Sequence, residues 1–236
     1  MFEKIASHAA RRYRPCGNLA WQFACGKLTG DPVYRAVWAG PWLHAGGTLL
    51  DVGCGAGLML ALIASAGELE TAGRAPRVEK LVGMETRSRV AEIARRALSG
   101  QAEIITADAR CRVLPAAQTI LVFDVLHMMP AADQDALMHT LVAALEPGGV
   151  LLLREADAGA GWRFQAVNLA NRLKAVAKGY SSRGFHFRAA DEWRVWLESC
   201  GLHVEVRAMG GGTPFANVLF AATKVSIASL APIRPK

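Results

Sequence analysis

The stretch Thr48-Leu49-Leu50-Asp51-Val52-Gly53-Cys54-Gly55-Ala56-Gly57 decides how this 236-residue chain is read. A short apolar run ends in closely spaced glycines, and residues 58–66 then continue almost wholly apolar. An apolar run closed by glycines is a buried strand entering a tight turn, and the segment behind it is a helix packed on a sheet.

The same unit recurs. Residues 80–84, 103–107 and 119–123 are predicted strands, and Pro147-Gly148-Gly149 turns into a fifth at 150–153. Residues 88–98 form a helix with Val90, Ile93, Ala94, Ala97 and Leu98 on one face. Asp133 is expected to cap a helix that buries Leu137, Met138, Leu141, Val142 and Leu145. Strands alternating with helices imply an α/β fold, doubly wound, with a mostly parallel sheet covered on both faces. The tail departs from the alternation: a helix over 191–200 (Trp193, Trp196, Leu197, Cys200) precedes two strands, 204–206 and 218–222, read as a C-terminal antiparallel hairpin. The first 45 residues are irregular or helical, with a helix starting at Asp31-Pro32 and stopping at Pro41. Between the fifth strand and the tail helix lies an insert, 161–188, helical in its first half and loop-like at 179–184. Nothing forces a domain cut. The chain is read as a single domain: a helical cap (1–45), a ligand-binding core (46–156), an insert or lid (157–190) and a closing helix and hairpin (191–236).

Bulk properties narrow the function. With 52% apolar and 20% charged residues the composition is globular, and no apolar run approaches the roughly 20 residues that span a bilayer. The start, which leads into Arg11, Arg12 and Arg14, has no signal-peptide segment, so a cytoplasmic enzyme is the expectation. Five cysteines without a C-x-x-C pair predict neither a disulfide framework nor a metal site. The net charge of +7 admits a nucleic-acid partner, an anionic substrate or only a basic surface. The basic residues form no dense block, and nucleic acid is the lesser expectation.

In open parallel sheets ligands sit at the carboxyl ends of the strands, where the loop 51–57 falls. Glycines let the backbone approach a ligand closely. A nicotinamide fingerprint, G-x-G-x-x-G, would need glycine or alanine at position 58, which is Leu58. The spacing G-x-G-x-G preceded by Asp51 instead resembles motif I of class I S-adenosylmethionine-dependent methyltransferases, whose sheet is Rossmann-like. Further positions carry the resemblance in order: Glu85 after the second strand, Asp108 after the third, Phe123-Asp124-Val125-Leu126-His127 after the fourth, and Leu145-Glu146-Pro147-Gly148-Gly149 before the fifth.

The resemblance implies S-adenosylmethionine as cofactor, with contacts from Asp51, Gly53, Cys54, Gly55 and Gly57, from Glu85 and Thr86 at the ribose, from Asp108 and Ala109 at the adenine, and from Asp124 and Val125 near the methionine. Read as residues alone, Glu85 could instead be a solvated acid paired with Arg87 or Arg89, Asp108 could cap a turn, and His127 could be a pocket-edge histidine. Four further stretches, 26–32, 153–157, 161–164 and 212–217, are similar to methyltransferases of bacterial aryl polyene (xanthomonadin-type) pigment clusters. That likeness implies an aromatic or polyketide-like acceptor, free or bound to a carrier protein.

Methyl transfer from a sulfonium needs alignment and water exclusion more than a fixed catalytic group. Where the acceptor must lose a proton, His127, Glu155 and His186 are the candidate bases. Aromatic residues of the insert (Trp162, Phe164, Tyr180, Phe185, Phe187) line an acceptor pocket or belong to the core, and its basic residues from Arg163 to Arg188 could attract an anionic arm. The first expectation is a small-molecule methyltransferase. An RNA-modifying enzyme and a non-catalytic binding scaffold are the alternatives, and a homodimer is open.

Overall fold

The computed structural model describes residues 1–44, 46–69, 78–161, 184–210 and 216–225. Among these, three helices precede the sheet: α1 (Phe2–Arg11), α2 (Asn18–Gly30) and α3 (Pro32–Ala39). There follow β1 (Thr48–Val52), α4 (Leu58–Glu68), β2 (Lys80–Glu85), α5 (Ser88–Leu98), β3 (Glu103–Thr106) and β4 (Ala117–Phe123). The chain continues with α6 (Ala131–Ala144), β5 (Leu145–Ala156), α7 (Ala190–Ser199), β6 (Leu202–Ala208) and β7 (Asn217–Lys224).

The strands form one sheet in the order β3-β2-β1-β4-β5-β7-β6. The first five run parallel; β7 is antiparallel to both β5 and β6, so the expected hairpin closes one edge. Alternation along each strand sorts side chains into two layers. Leu49, Leu121, Leu152 and Leu219 enter one core with α1 and α4, while Leu50, Ile120, Leu151 and Phe220 enter the other with Leu137, Met138 and Trp193. Burial on both faces explains why the central strands read as apolar runs. The chain leaves β1 toward β2 and β3 and returns on the other side at β4, which puts the switch point between β1 and β4.

Two expectations need correction. Asp133 does not cap its helix: α6 begins two residues earlier, behind Pro130, and Asp133 lies in its first turn, bonded to Arg110 at 2.6 Å. The proline, with φ already fixed, supplies the entry that a capping side chain would otherwise make. Pro147-Gly148-Gly149 does not precede the fifth strand either. β5 starts at Leu145 and carries the three residues within it, with a register irregularity against β4 and Gly148 at φ +79°. Asp31 does cap α3, its Oδ1 accepting from Val33 N at 3.1 Å. Most of the insert, 162–183, lies outside the described residues, as do its Trp162, Phe164, Tyr180 and the basic residues Arg163 to Arg183, and so does most of 212–217.

Candidate active site

The turn after β1 is built on left-handed backbone: Gly53, Gly55 and Gly57 have φ of +75°, +56° and +77°. The amides of Gly53 and Cys54 both donate to Met84 O, at 2.8 and 3.0 Å, which pins the turn to the end of β2. At Gly53 a Cβ would fall 2.3 Å from Val125 Cγ2, whereas at Gly55 it would meet open space. The second glycine therefore marks the open face of the turn. Tyr13 O–H donates to Ala56 O at 2.8 Å, so the segment joining α1 to α2 reaches over the same loop.

A cleft of about 980 Å³ opens at the carboxyl ends of β1 to β5. Asp51, Gly53, Cys54 and Gly55 line it, as do Glu85 and Thr86, Asp108 and Ala109, and Asp124 and Val125. Gly57 stands behind the wall, where a Cβ would meet Leu98 and Ala94. The sequence-derived candidates from four separate strand ends thus converge on one space.

The acids in it differ in environment. Asp51 is 4% exposed, and burial, reinforced by the nearby Glu85 charge, pushes its carboxyl up to about 7. Burial would raise Glu85 as well, but Arg87 outweighs it. Oε1 accepts from Arg87 N (2.9 Å) and Nε (3.0 Å) and Oε2 from Nη2 (2.8 Å), holding the carboxyl below its ordinary range. The pairing with Arg87 and the place in the cleft, alternatives in the sequence, hold together. Asp108 is likewise held low by its forked contact with Arg110, and its Oδ1 also accepts from Arg110 N, so it does cap a turn.

Asp124, at the end of β4, is one of two described non-glycine residues with positive φ, at +59°. Its N–H donates to Arg154 O at 3.0 Å, and its carboxylate takes Arg154 Nε (3.1 Å) and Nη2. The other side of the guanidinium holds Asp31, with Nη1 at 2.7 and 2.8 Å from its two oxygens, and Lys27 Nζ meets Asp31 Oδ2 at 2.7 Å. Arg154 is 3% exposed and lines the cleft.

His127, Glu155 and His186 are not among the residues lining the cleft. His127 lies between Val125 and Met128, which do line it, in a short turn behind β4. Its Nδ1 lies 2.7 Å from Glu155 Oε2, and the buried Glu155 also accepts Leu126 N at 2.7 Å. Burial works to lower the imidazole's pKa, but the bond to Glu155 and its charge prevail and the value is raised. The ring stacks on Phe187 with centroids 4.8 Å apart and tilts against Phe185. His186 is exposed and participates through its backbone: its N–H donates to His127 O at 2.8 Å and its carbonyl accepts Gln134 Nε2.

This strand order, with a glycine turn after β1 and acids at the next two strand ends, agrees with a sequence match to a methyltransferase domain over residues 31–206. The chain belongs to that family. No protein of curated function matches its sequence significantly. Among solved structures, the methyltransferase resembles an O-methyltransferase family protein from Burkholderia thailandensis (TM-score 0.65, 18% identity, 90% of this chain and 62% of that one). It also resembles an O-methyltransferase family 2 protein from Planctomyces limnophilus solved with apigenin (0.62, 20%, 93% and 62%). Human N-acetylserotonin methyltransferase solved with S-adenosylmethionine is a third (0.57, 18%, 92% and 57%). At these identities the likeness is one of fold, and the chain spans about three-fifths of the length of these three.

The cofactor of the methyltransferase is S-adenosylmethionine. The cleft fits it: the volume is at the upper end of the roughly 300–1,000 Å³ usual for ligand sites, the face of Gly55 is open, and a buried carboxylate stands at the end of β2. Among the described residues no group of three His, Cys, Asp or Glu could hold a metal ion, and no helix is long and apolar enough to cross a membrane. Sequence reasoning assigns no site role to Tyr13, Lys27, Asp31 or Arg154, although 26–32 and 153–157 enter the family likeness and Asp31 marks a helix start. The available signal was the pair Arg154-Glu155 closing an otherwise apolar central strand, since buried charges there need partners.

Proposed function

We propose that the protein transfers a methyl group from S-adenosylmethionine to a small, largely apolar acceptor, aromatic or polyketide-like and free or carrier-bound, of the aryl polyene pigment type. The observation that carries this reading is the cleft's charge balance. Among the described residues, four cations (Lys27, Arg87, Arg110, Arg154) and four carboxylates (Asp51, Glu85, Asp108, Asp124) line it, and each of these cations is engaged by a carboxylate. A phosphate-binding surface for RNA would keep unpaired cations on its path. The mouth is instead apolar, with Leu19, Phe23 and Met128 lining the cleft while remaining 85%, 58% and 61% exposed.

When bound, the cofactor supplies a methyl group already activated on a sulfonium. The protein's residues hold it and the acceptor in line and keep water out. His127 does not itself line the cleft but stands between Val125 and Met128, which do, and for a hydroxyl acceptor we assign proton removal to it. With Nδ1–H donated to Glu155, Nε2 is left to accept the proton as the O–C bond forms and the S–C bond breaks. His186 contributes by bracing His127 through its backbone amide. Two of the fold relatives, by their descriptions, were solved with apigenin or act on N-acetylserotonin, which supports an acceptor of that size.

Labelled-methyl transfer into hydroxybenzoates, carrier-bound acyl chains and bulk RNA tests the reading. Incorporation into hydroxybenzoates or carrier-bound chains is expected; incorporation into RNA alone would overturn it.

A further inference from the structure

Arg154 is a buried cation held between carboxylates that lie far apart in the sequence. Asp31 comes from the N-terminal helices, 123 positions earlier, and Asp124 from the end of the neighbouring strand, 30 positions earlier. The guanidinium contacts both oxygens of each acid, and Lys27 continues the row on the far side of Asp31. Lys27, Asp31, Arg154 and Asp124 alternate in sign and carry no net charge. Three of them, Lys27, Arg154 and Asp124, line the cleft. Asp124 stays in left-handed backbone, which few side chains adopt, with its amide donating to the Arg154 carbonyl and its carboxylate accepting from the guanidinium.

A methyl donor of this class carries a sulfonium charge that its demethylated product lacks. Carboxylates at the cleft hold the cationic ground state more tightly than the charge-dispersed transition state, and such excess binding slows the transfer. A buried guanidinium beside them removes that bias while keeping their geometry.

We propose that Arg154 is a positioning residue for methyl transfer: it ties the N-terminal helices to the strand ends through Asp31, aims Asp124, and cancels the carboxylate charge that would favour the cationic donor over its neutral product. The proposal rests on the reading of the cleft as a methyl-donor site.

Calorimetry with S-adenosylmethionine and S-adenosylhomocysteine at pH 8, on the wild-type protein and on Arg154→Met and Asp31→Asn, tests it. Arg154→Met should raise the ratio of the two affinities in favour of the sulfonium by about tenfold or more. Asp31→Asn, which leaves the guanidinium with one acid fewer, should lower it by about threefold or more, since losing a negative charge shifts the local field in the sense opposite to losing Arg154. Amide exchange over residues 18–39 should quicken in both variants without any ligand. A purely structural role would weaken both ligands alike, so an unchanged ratio in either folded variant overturns the proposal. If Arg154→Met does not fold, the Asp31→Asn arm decides. Failure of the wild-type protein to bind either ligand would defeat the methyl-donor reading itself, and this proposal with it.

Discussion

The glycine turn makes opposed predictions for two substitutions of the same kind. Gly53 and Gly55 both occupy left-handed backbone, so alanine at either position meets a conformational cost of about 1–2 kcal/mol. Only at Gly53 does the new methyl also collide, 2.3 Å from Val125 Cγ2, and displacing that side chain adds about 1–2 kcal/mol of overpacking strain. Gly53→Ala should therefore lose about 2–4 kcal/mol, a drop of roughly 4–16 °C in melting temperature for a domain of this size. Gly55→Ala should lose only the conformational part, roughly 2–8 °C, but its methyl projects from the open face of the turn. It should weaken S-adenosylmethionine binding by about tenfold or more, through close approach lost at the loop. Differential scanning calorimetry and titration calorimetry on both proteins read the two axes. A Gly55→Ala protein that binds cofactor like the wild type, or that melts below Gly53→Ala, would refute the assignment of the open face.

Glu85→Gln keeps the shape but opposes an amide N–H₂ to Arg87 and removes the charge. Cofactor affinity should fall by about 10–100-fold, corresponding to about 1.5–3 kcal/mol for charge-assisted bonds, and an unchanged Kd would show that the carboxylate serves only Arg87. A base must be neutral to accept a proton, so methyl transfer should rise with pH on an acid limb whose midpoint lies above the ordinary histidine value. Glu155→Gln should move that midpoint down, and a flat profile through pH 6–8 would exclude His127 as the base. The same raised pKa makes the His127–Glu155 pair stabilise the fold fully below about pH 6.5, a contribution lost as pH climbs through the folded value, which melts at pH 6 and pH 9 on His127→Gln will isolate. Asp51, pushed up to about 7 by burial and the Glu85 charge, acts with the same sign in a lower window: the fold disfavours its ionised form, so stability declines from about pH 4 up to about 7. Asp51→Asn should flatten that decline, and a wild-type slope retained in the variant would assign it elsewhere.

The core was legible because its signals are local. Runs such as Leu49-Leu50 and Val150-Leu151-Leu152 show burial on both faces within a few residues, and glycines announce the turn that follows β1. Strand order and the cleft came with the alternation of elements, since a right-handed crossover leaves few ways to arrange five parallel strands. Boundaries were less legible. β5 absorbs Pro147, Gly148 and Gly149, which by local rule should have preceded it, because pairing with β4 outside the bulge overrides the turn preference. The start of α6 was misplaced for a related reason: Asp133 has a capping side chain, but it spends its carboxylate on Arg110 from another part of the chain.

Charge was the property the sequence expressed least well, and the cleft explains why. A net charge of +7 invites a search for an anionic partner. Yet the described cations that reach the cleft are held by carboxylates, Arg87 and Arg110 by acids two residues before them and Arg154 by acids 30 and 123 positions away. The short-range pairs could be suspected from the sequence. The long-range one could not, because no spacing rule connects a helix cap at Asp31 with the last turn of a central strand. Its contribution is also of a different kind. The side chains of Arg87 and Arg110 are themselves exposed by 54% and 39%, where solvent screens what a pair contributes. Arg154 is nearly inaccessible, so removing its charge strands Asp31 and Asp124 against each other in a poorly screened environment, which costs far more than a surface pair. A protein that placed such a group only for stability could have used apolar side chains of the same volume. Placing it at the floor of the cleft, with Asp124 in strained backbone beside it, makes sense if the distribution of charge there, rather than its amount, is what the methyl-transfer site requires.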